Sequence, residues 1–260
     1  MISSVHNSKV QAVRRLQSQA RERHKDQAFV VEGVRLCEEA LEAGWIARQA
    51  FFTDALDERG QALIRGLAER NTPTEQVSQA VMEAMSETET PQGVLVVVSR
   101  QTLPLPPNPD FLLILDSLRD PGNLGTILRT ALAAGVQGVL LAPGCADPWA
   151  GKVLRAAMGA HFRLPIHSLK WPDIRGIVKG SGGPLNVYLA EVAGGIPYSQ
   201  ADFCAPMALI VGGEAAGAGS DAHSLADEIV HIPMPGGSES LNAGIAASIL
   251  LFEVVRQREK

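Results

Sequence analysis

The sequence predicts an α/β protein of two domains, the second built on a mostly parallel sheet. Three observations carry that expectation. Residues 101–110 read QTLPLPPNPD, with four prolines in ten positions. Proline fixes φ and removes a backbone donor, so this stretch is a stiff, extended linker that divides the chain. On both sides of it, helical and strand patterns alternate. Beyond it, strands such as FLLIL and MALIV are continuously apolar, which suits a parallel sheet covered on both faces. The expected divisions are a small α/β domain at 1–100, the linker at 101–110 and a larger α/β domain at 111–260.

Taken in order, Lys9–Asp26 is polar with Val10, Val13 and Leu16 at helical spacing. Ala28–Val31 is a short strand, and Val34–Ala43 a helix stopped by Gly44. Ile46–Thr53 is a second strand, Glu58–Arg70 a helix, and the β-branched run Gly93–Ser99 a buried strand. In the larger domain the expected strands are Phe111–Leu115, Val139–Ala142, Leu164–His167, Asn186–Ala190, Met207–Val211 and Ile229–Ile232. The expected helices are Gly122–Ala134, Ala150–Met158, Ile174–Lys179 and Ala243–Arg258. In the last of these, Ile245, Ile249 and Phe252 mark a stripe expected to be buried.

The chain has 260 residues, 46% of them apolar and 20% charged, with mean hydropathy +0.07. That composition is globular, neither disordered nor fibrous. Aromatics at 5% argue against a broad stacking platform for single-stranded RNA. Cys37, Cys145 and Cys204 form no CxxC pair, so neither a disulfide framework nor a structural zinc site is expected. No apolar run reaches membrane-spanning length, and the N-terminus has no apolar signal core. These features point to a cytoplasmic protein in a reducing compartment, with no membrane partner.

Net charge is −5. Residues 1–35, however, hold seven Lys or Arg against three Asp or Glu, a net of +4 that leaves −9 elsewhere. Such a basic end is either a solvated amphipathic helix or an electrostatic footprint for a polyanion.

Parallel sheets bind ligands beyond the carboxyl ends of their strands, so the loops after Leu115, Val211 and Ile232 are the places to look. The first, LDSLRDPGNLGTILRTALAAG, has Asp120 as helix cap with Pro121 behind it. Asn123 lies in that helix's first turn, and Arg129 lies between apolar neighbours further on. The second, LIVGGEAAGAGSD, runs from a strand straight into a glycine-rich turn. It lacks the spacing of a dinucleotide fingerprint, and Glu214 stands where a pyrophosphate would sit. The third, VHIPMPGGSESLN, opens the last helix, capped by Ser240 or Asn242. Ser238 lacks the second glycine of GxSxG, so it is not read as a hydrolase nucleophile. His161, His167, His223 and His231 show no metal-ligand spacing, and no metal is expected.

Together the segments DPGNLGTILRTA, VGGEAAG and IPMPGGSESLN resemble, in order and separation, the three motifs of the SpoU/TrmH branch of the SPOUT RNA methyltransferases. The resemblance covers about Phe111–Arg258, and about Ser3–Ser99 resembles the family's N-terminal substrate-binding domain. It implies transfer of a methyl group from S-adenosylmethionine to a ribose 2′-hydroxyl of RNA. It also implies a deep trefoil knot in the catalytic domain and a homodimer packed through that domain. Carried over, the cofactor lies on Gly212, Gly213, Glu214, Gly217, Ile232, Met234 and Leu241. The chemistry falls on Asn123, Arg129, Glu214, Ser240 and Asn242. The family arginine matching Arg129 is proposed to activate the hydroxyl. A guanidinium keeps its proton in proteins, so stabilising alkoxide charge and positioning phosphate suit it better. The chain departs from the family where a small β-branched pair often follows SLN; here Ala243-Gly244 stands, which implies a local packing change.

The resemblance of the N-terminal domain implies ribosomal RNA of the large subunit over tRNA, because family members with this domain tend to act on it; Lys9, Arg14, Arg15, Arg21, Arg23 and Lys25 are the expected phosphate contacts. The competing readings are a non-catalytic RNA-binding factor of the same fold, a tRNA 2′-O-methyltransferase, a nucleotide-dependent oxidoreductase and a base-modifying enzyme using Cys145. The intact set of chemical residues argues against the first, and the missing GxGxxG against the oxidoreductase. Nothing in the sequence sets a base beside Cys145.

Overall fold

The computed structural model describes residues 1–180, 183–213 and 217–259. In chain order its elements are α1 (Ser8–Ser18), α2 (Ala20–Asp26), β1 (Ala28–Glu32), α3 (Val34–Glu42), β2 (Ala47–Phe52), α4 (Glu58–Glu69), β3 (Thr74–Gln76), α5 (Gln79–Met85) and β4 (Val94–Ser99). After residues 102–109, which form neither helix nor strand, come β5 (Phe111–Asp116), α6 (Pro121–Ala133), β6 (Gly138–Leu141), α7 (Gly151–Ala157), β7 (Ile166–Ser168) and α8 (Trp171–Val178). The chain ends with β8 (Asn186–Glu191), β9 (Ile196–Pro197), β10 (Met207–Gly212), α9 (Ser220–Leu225), β11 (Glu228–His231) and α10 (Ala243–Arg258).

The first unit comprises residues 1–101 and 147–162. Its sheet has the order β1-β4-β2-β3, with β4 antiparallel to both neighbours. Val10, Val13 and Leu16 of α1 join Val81, Met82 and Met85 of α5 over one face of it. The expected single helix Lys9–Asp26 is two, because Gln19 is extended between them. The break leaves carbonyls at the end of α1 without helical partners. The Arg23 guanidinium turns back and donates to two of them, Leu16 O at 2.6 Å and Gln17 O at 2.7 Å. The short, polar β3 and the seven-residue α5 carry too little pattern to be read from sequence.

The excursion 147–162 departs from the uninterrupted 111–260 span that the sequence predicts. Trp149 packs on Phe29 with ring centroids 4.8 Å apart. The Trp45 indole N–H donates to Phe162 O at 3.2 Å, and Asp147 pairs with Arg23 at 2.7 Å. Burying these rings and this ion pair holds the segment in the first unit. His161 is also buried there, and desolvation lowers its pKa to about 4.

The second unit comprises residues 102–146 and 163–260. Its sheet runs β7-β6-β5-β10-β8-β11-β9, and every pairing is parallel. Strand side chains alternate between faces. Leu112, Ile114, Ala208 and Ile210 point to the side covered by Ile174 and Val178 of α8 and Ala222 and Leu225 of α9. α6 and α10 pack against each other, and α10 against β10. This is the parallel sheet with both faces covered that the apolar strands predict. Among the described residues no helix is long and apolar enough to cross a membrane.

One expected feature of α10 is overturned. Ile245 and Phe252 are 54% and 50% exposed, and Ile249 is half-buried. The buried face is instead Ala243, Gly244, Ala247, Leu250, Leu251 and Val254. α10 is apolar nearly all round, so periodicity alone does not say which stripe meets the sheet.

Candidate active site

At the carboxyl edge of the second sheet, the ends of β10, β8 and β11 open into a cavity of about 310 Å³. That size suits a small-molecule site. Its walls are backbone at Gly212, Gly213 and Gly217 and apolar side chains that include Ile232, Met234 and Leu241. Every expected cofactor residue that the structure describes therefore lines one cavity; Glu214 lies outside the described residues.

The glycines of the second loop are there for close approach. A Cβ at Gly213 would lie 2.4 Å from Ser117 O, and one at Gly212 would lie 2.5 Å from Ala218 N. The loop closes on itself through Gly217 N to Gly213 O at 3.1 Å. It is moored by Asp116, the last residue of β5, whose buried carboxylate accepts Gly219 N at 2.7 Å and the Ser117 hydroxyl at 3.1 Å. Ser117 has φ +54, a left-handed backbone that costs an L residue roughly 1–2 kcal/mol. Sequence reasoning did not single out Asp116; an acid closing the apolar run FLLIL was the available signal.

The third loop turns at Gly237, whose N–H donates to Met234 O at 3.0 Å. Of the two proposed caps for α10 the structure selects Asn242, whose Oδ1 accepts from Gly244 N at 2.9 Å and Ile245 N at 3.2 Å. Its side-chain amide donates to Asn123 Oδ1 at 3.0 Å. Asn123 sits in the first turn of α6, where its N–H is capped by Asp120 at 2.8 Å. At Gly244, one of the two positions of the departure noted after SLN, a Cβ would meet Asn242 Oδ1 at 3.1 Å and Asn123 Oδ1 at 3.4 Å, so a larger residue there presses on this pair. Ser240 and Asn242 both line the cavity.

Ser240 and Asn242 thus share the cavity wall and Asn123 is bonded to Asn242 from behind it, whereas Arg129 stands apart from all three. It lies six residues beyond Asn123, about 9 Å along the axis and well round the helix. It is exposed and does not line the cavity. Cys145 donates its thiol to Leu115 O at 3.2 Å, and burial raises its pKa, so it is poorly suited to nucleophilic work. Among the described residues no cluster of His, Cys, Asp and Glu could hold a metal.

Of the expected phosphate contacts, Arg14, Arg15, Arg21 and Lys25 are exposed on the first unit. Lys9 is ion-paired to Glu75. Arg23 is corrected: it is 5% exposed and spent on Asp147 and two carbonyls, out of reach of RNA.

Residues 110–252 match the SpoU rRNA Methylase family and residues 7–96 the MRM3-like substrate binding domain. The chain is 35% identical over 253 residues to the 23S rRNA (guanosine(2553)-2'-O)-methyltransferase RlmP of Bacillus subtilis, covering 97% of this chain and 98% of that one. It is 32% identical to the mitochondrial rRNA methyltransferase 3 of Homo sapiens, over 90% of this chain and 69% of that one. The crystal structure of the SpoU methyltransferase AviRb from Streptomyces viridochromogenes with AdoMet superposes with a TM-score of 0.89 at 30% identity, covering 98% and 99% of the two chains.

Proposed function

The chain belongs to the SpoU rRNA methylase family, and from that premise we propose how its residues serve methyl transfer. The protein is an S-adenosylmethionine-dependent methyltransferase that modifies a ribose 2′-hydroxyl of large-subunit ribosomal RNA. The observation that carries the residue assignment is one cavity at the carboxyl sheet edge, lined by six expected cofactor residues and by Ser240 and Asn242.

The walls fit the cofactor. Ile232, Met234 and Leu241 offer apolar surface for an adenine, and the glycine backbone admits a close ligand. When bound, S-adenosylmethionine supplies a methyl group on a cationic sulfur, which keeps the electron pair of the broken bond as the ribose oxygen takes the methyl. Ser240, Asn242 and Asn123 hold the ribose hydroxyl in line, and this positioning supplies much of the rate. The hydroxyl proton passes to water. Arg129 keeps its own proton and stabilises the negative charge that develops on the ribose oxygen.

Arg129 is exposed and outside its own chain's cavity, which supports a homodimer as the working form. Ile245 and Phe252 on α10, which packs beside α6, form the apolar face such a dimer would cover. Arg129 then serves the cavity of the other copy. The reading includes the trefoil knot. It is supported by β10 and β11, late in the chain, which lie inside the sheet on either side of β8. The first unit carries the RNA, on Arg14, Arg15, Arg21 and Lys25.

The test is transfer of labelled methyl from S-adenosylmethionine to unmodified ribosomal RNA and tRNA in parallel, followed by alkaline hydrolysis. Label in an alkali-resistant dinucleotide from ribosomal RNA is expected. Alkali-labile label would overturn the 2′-O product, and label on tRNA alone would overturn the substrate.

A further inference from the structure

Glu191 is the one ionisable side chain among the described residues that line the cavity. It closes β8, the strand between β10 and β11, and so stands between the two strands whose loops hold the cofactor site. Its side chain is 22% exposed. Its Oε1 lies 3.2 Å from Nε2 of His223 on α9, which is 46% exposed. Toward the cavity, both carboxylate oxygens lie within 3.8 Å of where a Gly217 side chain would begin. With glycine there, nothing of residue 217 beyond its backbone stands in that space.

A half-buried carboxylate in a mainly apolar cavity is costly unless a cation meets it. From α9 the His223 ring lies against it, a cation only when protonated. The cavity side is left for a ligand, and the chemistry of the reaction says which ligand property matters. S-adenosylmethionine and the product S-adenosylhomocysteine share the adenosine and the amino acid. Apolar walls and backbone amides therefore hold both about equally. They differ in the methyl group and in one positive charge at sulfur, and of the described cavity side chains only a charged one responds strongly to that charge.

We infer that Glu191 is the cavity's charge discriminator: it favours the cationic methyl donor over the product, whose sulfur is neutral. The inference rests on reading the cavity as the S-adenosylmethionine site and goes further by naming a residue outside the three motifs. Its consequence is functional. Transfer removes the charge that Glu191 attracts, so the spent cofactor is held less tightly than the fresh one and product inhibition is relieved.

The experiment is calorimetric titration of the full-length protein with S-adenosylmethionine and with S-adenosylhomocysteine. The wild type, Glu191→Gln and Glu191→Asp are compared, with thermal melts to verify folding. Glu191→Gln is expected to weaken the methyl donor by about tenfold, the scale of one charge–charge contact, while the product changes by less than about twofold. Glu191→Asp keeps the charge and is expected to retain most of the preference. Parallel weakening of both ligands in Glu191→Gln would reduce the residue to shaping the cavity, and unchanged affinities would remove it from recognition; either overturns the inference alone. A wild type that binds neither ligand would overturn the cavity assignment and the inference with it.

Discussion

The side-chain amide of Asn242 donates to the side-chain oxygen of Asn123 over 3.0 Å, which ties the N-cap of α10 to the first turn of α6. The two residues are 119 positions apart in the chain. The same Asn242 caps α10 through its oxygen and lines the cavity. One residue therefore serves both helix stability and the shape of the site, and the two roles separate by substitution.

Asn242→Asp keeps an acceptor for Gly244 N and Ile245 N and places negative charge at a helix N-terminus, which favours it. It removes the donor to Asn123. The variant is expected to melt close to wild type and to lose most methyl transfer. Asn242→Ala loses the cap as well and is expected to cost about 1 kcal/mol of stability. Thermal melts beside single-turnover methyl transfer check both; an Asn242→Asp enzyme with full turnover would show that the tie to Asn123 is not needed.

Gly213→Ala tests the close approach under the second loop. Its Cβ would stand 2.4 Å from Ser117 O, a backbone atom that cannot swing away. Overpacking of this kind costs about 1–3 kcal/mol, and the loop must lift from Ser117 to relieve it. Denaturant unfolding is expected to report the loss, and calorimetry a weaker S-adenosylmethionine site. Unchanged binding would mean that the loop's seat on Ser117 does not shape the cavity.

The basic residues of the first unit divide by what they touch. Neutralising Arg14, Arg15 and Arg21, all exposed, is expected to weaken RNA binding and flatten its dependence on salt. Arg23→Ala is expected to leave that slope unchanged and to destabilise the protein by about 3 kcal/mol, because it strands Asp147 and two carbonyls. Filter binding over a salt series, with a parallel unfolding curve, separates the two. A flattened slope in Arg23→Ala would put that residue back on the RNA.

Much of the site was legible because its parts are local. The glycine run after MALIV, the Asp120-Pro121 helix start and the SLN helix entry each carry their geometry within a few residues. What was not legible depends on distant partners. Nothing near Trp149 or Asp147 tells that they join Phe29 and Arg23 in the first unit. Arg23 reads as one more cation in a basic run until α1 breaks at Gln19 and offers its carbonyls. Ile245 and Phe252 read as core because an apolar stripe announces burial without naming its cover.

That exposed stripe and Arg129 lead to one prediction. If Arg129 serves the cavity of a second copy, an Arg129→Ala chain is inactive with its cavity intact, and S-adenosylmethionine binds it normally. A Gly217→Trp chain, whose side chain starts on the cavity side beside Glu191, has a blocked cavity and an intact Arg129. Co-expressing the two pairs a good cavity with a good arginine in one site of each mixed dimer. Random pairing is then expected to restore about one quarter of wild-type activity, as closed two-fold symmetry dictates. If Arg129 acts within its own chain, no mixed dimer holds a complete site and activity stays near zero. Adding Ile245→Asp and Phe252→Asp to both chains breaks the apolar face. Sedimentation is then expected to find monomers, and the restored activity is expected to vanish with the dimer.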